Sequence, residues 1–149
     1  MPAKKPAAGT VKRTVRELTL EAATDAARAA IDAALESGLK VCAAVVDLAG
    51  NPLVTLRHPG APMLCLTLAE DKAYTCAQFG FPSADWRALL DTSPALARGL
   101  PPRPRWALIA GGLPIRTGGE LVGGIGVSGG SEEQDAQCAL AGLRSLGLD

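Results

Sequence analysis

Apolar residues along this chain fall into runs whose period changes several times. Over residues 19–37, TLEAATDAARAAIDAALES, charges at Glu21, Asp25, Arg28, Asp32 and Glu36 recur every three or four positions and form one solvated stripe. Leu20, Ala23, Ala27, Ile31 and Leu35 mark the opposite face, which predicts a helix with Thr19 as N-cap and Gly38 as its stop. VCAAVVD (41–47) is a continuous apolar run, the signature of a strand buried on both faces. LAGN (48–51) reads as a turn and PLVTLR (52–57) as a second strand, together a hairpin. HPGAP (58–62) breaks the chain. Residues 63–79, MLCLTLAEDKAYTCAQF, predict a second helix with Leu64, Leu68, Tyr74 and Phe79 on its apolar face.

Residues 83–100 read as short helical pieces, with Ser83 and Ser93 as N-caps and Pro94 at a first helical position. PPRPR (101–105) is a stiff, extended connector. WALIA (106–110) is expected as a strand, Gly111-Gly112 as a break and LPIRT (113–117) as a short strand. Gly118-Gly119 is a hairpin turn into the strand ELVGGIGVS (120–128). Ser131 and Gln134 make a capping box for a last helix whose buried stripe is Ala136, Leu140, Leu143 and Leu146. The order α-β-β-α-(α)-β-β-β-α predicts an α/β chain of the α+β type: an antiparallel sheet flanked by N-terminal, middle and C-terminal helices.

Composition narrows the function classes. Fifteen basic residues balance fifteen acidic ones, but unevenly. Residues 1–16 hold five Lys and Arg and no acid, so a +5 arm precedes a domain of −5. With two prolines and no hydrophobic run, that stretch reads as a disordered basic arm before a domain at 17–149. A mildly acidic domain with only five aromatic rings argues against nucleic acid as a partner. No apolar window reaches the ~18 residues of a membrane span, nor is there a signal-peptide core. A cytoplasmic protein with no membrane partner is expected, its thiols reduced. Cys42, Cys65, Cys76 and Cys138 lie in apolar stretches, away from the single histidine, His58, so a clustered zinc site is not expected.

Nine of the seventeen glycines fall between Gly111 and Gly130. Gly124, Gly126 and Gly129 satisfy a dinucleotide pattern, but too little chain follows to complete a βαβ unit. Glu132, Glu133 and Asp135 would also repel phosphate there, while suiting the helix dipole. Gly126-Val127-Ser128-Gly129-Gly130 matches a nucleophile elbow, yet His58 comes too early in the chain for a hydrolase. The glycines read better as close packing at a sheet edge or bulge, against another subunit or a flat ligand. Arg57-His58 ends a strand, where imidazole suits iron or proton transfer and guanidinium suits a carboxylate. Lys72 follows two acids, as a surface ion-pairing lysine would. Its neighbours Leu68, Ala69, Ala73 and Cys76 are apolar or small, which also allows an amine turned into a pocket. Asp47 suits a turn-forming role.

Together these segments resemble the GlcG/HbpS family, found also as the C-terminal domain of PduO-type proteins. The residues that carry the resemblance are Asp47-Leu48-Ala49-Gly50, Arg57-x-x-Gly60-Ala61, Lys72-Ala73, Gly111-Gly112-Leu113-Pro114-Ile115 and Gly123-x-x-Gly126-Val127-Ser128-Gly129-Gly130, in the family's order over about residues 17–148. The resemblance implies a profilin-like fold, self-assembly into homo-oligomers, and association with haem or a corrinoid. Family members often carry an acid before the Gly-Ala of the second motif; here Pro59 stands there, preceded by His58. The absence of C-x-x-C-H argues against covalent haem attachment.

The expectation is therefore an oligomeric protein that binds a small planar or anionic ligand, haem being the example the family suggests. Arg57, His58 and Lys72 would line the pocket, Gly111, Gly112, Ser128 and Gly129 would let backbone approach, and His58 would ligate a haem iron. The alternative is a small cofactor-free enzyme acting on an organic acid or quinone-like catabolite, with Lys72 or His58 moving a proton. A third reading is a structural partner using its glycine-rich face.

Overall fold

The computed structural model describes residues 15–149. The basic arm expected over residues 1–16 lies outside the described residues up to position 14. Helix α1 (Leu20–Glu36) begins where the Thr19 hydroxyl accepts the Ala22 N–H at 3.1 Å. There follow β1 (Cys42–Asp47), β2 (Pro52–Arg57), α2 (Met63–Phe79), α3 (Trp86–Asp91), α4 (Pro94–Gly99), β3 (Gly112–Thr117), β4 (Glu120–Ser128) and α5 (Glu132–Ser145). The strands form one four-stranded sheet in the order β2-β1-β4-β3, with every neighbouring pair antiparallel. The chain is thus an α+β fold with helices on both faces of its sheet.

Strand β1 has both faces covered. Ala43 and Val45 join the core under α1 and α5, together with Ala23, Ala26, Ala27, Ala30, Ile125 and Val127. Cys42, Ala44 and Val46 face α2, against Ala69, Ala73 and Ala77. The α2 side is built for close approach. A Cβ on Gly124 would collide with the Ala73 carbonyl, and one on Gly126 with the Ala69 carbonyl. Glycines on β4 and alanines on α2 therefore let helix backbone lie on strand backbone.

That contact corrects two expectations. The glycine-rich strand β4 is interior to the sheet, not an edge, and its glycines meet α2 of the same chain. The buried face of α2 is Ala69, Lys72, Ala73, Thr75, Cys76 and Ala77, while Leu64 and Phe79 are 68% and 50% exposed. Where Ala69, Ala73 and Ala77 lie on the strands the layer is thin, and Leu64 and Phe79 stand outside it.

The expected strand at 106–110 is absent. Side chains take its backbone groups instead. The Ala107 N–H donates to Thr75 Oγ1 at 3.0 Å, the Ile109 carbonyl accepts from Ser83 Oγ at 2.6 Å, and the Ala110 N–H donates to Glu132 Oε1 at 3.0 Å. Ser83 is thus a buried linker to the Gly112 N–H (2.9 Å) rather than an N-cap, while Ser93 does cap α4. Trp106 is drawn into a cluster with Phe79, Phe81 and Trp86, whose ring centroids lie 4.9–6.2 Å apart. Pairing of rings edge to face competes well with a strand of five residues. Arg105 closes the connector. Its guanidinium lies 3.9 Å from the Tyr74 ring centroid and donates to the Gly50 carbonyl at 2.6 Å.

Candidate functional site

The residues singled out from the sequence fall into two places. The first is a buried polar centre between α2, β4 and α5. Lys72 sits on the inner face of α2 and is 1% exposed. Its Nζ donates to the Val127 carbonyl at 2.8 Å and to Asp135 Oδ2 at 2.9 Å. Asp135 is itself 3% exposed, and its Oδ1 accepts the Gly130 N–H at 2.8 Å. The Gly111 carbonyl accepts the Val127 N–H at 2.8 Å, so the loop before β3 is locked to the same spot. A buried ion pair is tolerated when further hydrogen bonds satisfy both partners, as they do here.

This centre gathers Lys72, Gly111 and Gly112, with Ser128 and Gly129 next along β4. The room left by the glycines is taken by the chain itself. A Cβ on Gly111 would lie 2.7 Å from Lys72 Nζ, and one on Gly129 2.8 Å from the Lys40 carbonyl. Lys72 lines none of the three surface cavities described for the chain. Asp135 suits the helix dipole, but the phase of its helix also carries a clue to its burial. The buried positions of α5 are Asp135, Cys138, Ala139, Gly142 and Leu143, one inward stripe of three- and four-residue steps. Asp135 is its first member, and the stripe is turned about one position from the expected Ala136-Leu140.

The second place is a groove between α1 and the turn from β2 to α2. Arg57 and Ser128 both pair with Cys42, on opposite sides of β1, so they stand two strands apart, roughly 10 Å. Beyond Arg57, the chain turns through His58, Pro59 and Gly60. The Ala61 N–H closes the turn on the His58 carbonyl at 2.8 Å. Arg57 Nη1 donates to the carbonyls of Ala61 at 2.9 Å and Pro59 at 3.2 Å, which fixes the guanidinium over the turn. The Gly60 N–H donates to His58 Nδ1 at 3.0 Å. Arg28, Ile31 and Leu35 of α1 supply the far wall, and Leu56 the floor, of a cavity of about 180 Å³. The lining holds Arg28, His58 and backbone of Arg57 and Pro59, with no acid; the Arg57 side chain itself leaves β2 on the α2 face, as that of its strand partner Cys42 does. Arg28 had been read only as part of the solvated stripe. Nothing local marks it; the turn comes to it through the fold.

Arg57 and His58 are thus brought together, and Lys72 is held apart from them. Cys42 and Cys76 are buried. Burial pushes Cys42 up to about 11, helped by Cys65 and opposed by Arg57. Burial pushes Cys76 up to about 12, against its hydrogen bonds from Ser83. Both are neutral thiols at ordinary pH. Among the described residues, no three His, Cys, Asp or Glu side chains converge as a metal site.

Comparison with known proteins gives consistent matches. Residues 18–144 match a family model described as haem degrading protein HbpS-like. A crystal structure of a Streptomyces reticuli HbpS double mutant superposes with a TM-score of 0.84 at 41% identity, covering 97% of this chain and 99% of that one. A crystal structure of PduOC in complex with haem superposes with a TM-score of 0.80 at 28% identity, covering 87% and 95%. The corrinoid adenosyltransferase PduO of Salmonella typhimurium is 33% identical over 108 residues, 69% of this chain and 32% of that protein. The chain therefore spans about a third of the length of the adenosyltransferases it matches. Among the described residues, no helix is long and apolar enough to cross a membrane.

Proposed function

From a chain that belongs to the HbpS-like family, we propose a protein that binds haem on a surface including the Arg57–His58 turn, and that assembles with copies of itself. The observation that carries the reading is the likeness to the PduOC haem complex, which extends over 95% of that chain. The groove supports part of the fit. Its guanidinium and imidazole suit the carboxylates of a haem. Its volume of about 180 Å³ is below the ~300–1,000 Å³ usual for enclosing a drug-sized ligand, so the macrocycle would extend past one chain's groove. A second copy would supply the missing wall. Met63 and Leu64, 63% and 68% exposed just after the turn, offer apolar surface for such a contact.

The proton-transfer alternative gains no comparable support at Lys72, whose ammonium is buried between two acceptors and reaches no described cavity. The test is addition of haemin to the purified protein, read by Soret absorbance and by sedimentation. A saturable Soret shift and a mass that is a multiple of the chain's are expected. An unchanged Soret band overturns haem binding, and a single-chain mass overturns assembly.

A further inference from the structure

His58 is the chain's only histidine, and its hydrogen bond decides what its ring offers. Nδ1 accepts the Gly60 N–H at 3.0 Å, so the Nδ1 lone pair is already used. In the neutral ring the proton then resides on Nε2. An imidazole that binds iron through Nε2 needs the opposite arrangement, with Nδ1 protonated and donating to an acceptor. Turning His58 into an iron ligand would leave the Gly60 N–H facing another N–H. The disposition of the turn suits donation from Nε2–H instead.

The surroundings agree. Arg57 spends Nη1 on carbonyls of the turn from the α2 side of β2 and so braces the turn that presents His58. Arg28 faces the same cavity from α1, and the apolar lining is Ile31, Leu35 and Leu56. Lys40 also packs its aliphatic stem on Gly60, adding positive charge beside the turn. A small space with donors on two sides, apolar walls and no acid in its lining fits a carboxylate on a short carbon arm.

We propose that this groove is a carboxylate subsite in which His58 Nε2–H and Arg28 hold the acid group of the ligand, and that His58 does not ligate iron. The inference rests on the haem reading only for the larger ligand; a free dicarboxylate presents the same chemistry.

The test uses the tag-free protein and the NMR signals of its single imidazole. With the ring neutral, the nitrogen shifts should report the Nε2–H tautomer. Succinate should shift the His58 ring protons saturably, and Arg28→Gln should weaken that binding about ten-fold, as loss of a charged hydrogen bond does. Haemin should bind more tightly than haemin dimethyl ester, and the Arg28→Gln variant should lose that preference. His58→Gln, which keeps a donor, should leave the Soret position unchanged.

An Nδ1–H tautomer, or a His58→Gln Soret displacement typical of a lost axial ligand, overturns the proposal. So does succinate that leaves His58 unmoved, and so does equal binding of haemin and its ester. If succinate shifts His58 but haemin does not bind, the subsite stands and the haem reading falls. If haemin binds with no preference over its ester, the haem reading stands and the subsite falls.

Discussion

Two cationic places in this protein use the same kinds of group to opposite ends. Lys72 meets a carboxylate and a carbonyl inside the fold, where nothing else reaches it. Arg57 and His58 meet backbone groups of their own turn at the surface of the fold. Burial makes the first centre expensive to disturb, because an uncompensated charge is left in low dielectric. Exposure makes the second cheap to disturb and free to bind. A charged residue that looks catalytic in sequence can be a structural tie.

The comparison is broken most directly at Asp135. Asp135→Ala should cost about 3–5 kcal/mol of unfolding free energy, since it strands the Lys72 ammonium. A Lys72→Met, Asp135→Leu double variant should recover most of that loss in urea unfolding. A double variant as unstable as the single one would show that the pair does more than neutralise itself. Gly126→Ala should come next, at about 1–3 kcal/mol, because its Cβ would collide with the Ala69 carbonyl and lift α2 from the sheet. Thermal unfolding reads this, and an unchanged midpoint would place the helix farther from β4.

Smaller effects belong to the surface. The Ala110 N–H, and then Arg87, hold the Glu132 carboxyl below its ordinary value. A carboxyl lowered on folding stabilises the protein above the ordinary value of about 4.3 and loses that contribution as pH falls through its lower folded value. Glu132→Gln should therefore flatten the acid side of the stability profile and leave its slope above neutral pH unchanged. An unaltered acid limb would show that the Arg87 bridge is without consequence in solution. Arg28→Gln and His58→Gln should change stability least, by no more than about 0.5 kcal/mol, as exposed substitutions usually do. A loss near that of Asp135→Ala would erase the distinction between the two places.

Much of the fold was legible. The Thr19 cap, the hairpin over 41–57, the Gly118-Gly119 hairpin and the Ser131–Gln134 box all formed as read, because each rests on neighbours within a few residues. The strand expected at 106–110 failed because its polar groups found Thr75, Ser83 and Glu132, which lie 22–32 residues away in sequence. The apolar face of α2 was misread because the glycines that thin the layer lie on another strand. Of the candidate sites, Arg57 and His58 could be named together from adjacency. Asp135 was visible only in the phase of its helix, and Arg28 carried no local mark.

Sequence alone thus determined most of the elements, the α+β class and the family, since these follow from period, caps, turns and an ordered set of short motifs. Tertiary structure decided which side of the chemistry each residue serves. It turned Lys72 inward onto Asp135 and brought Arg28 across to Arg57 and His58. The physical reason is that burial and orientation arise from contacts between segments distant in sequence, and it is burial that separates a charge held as structure from a charge offered to a ligand.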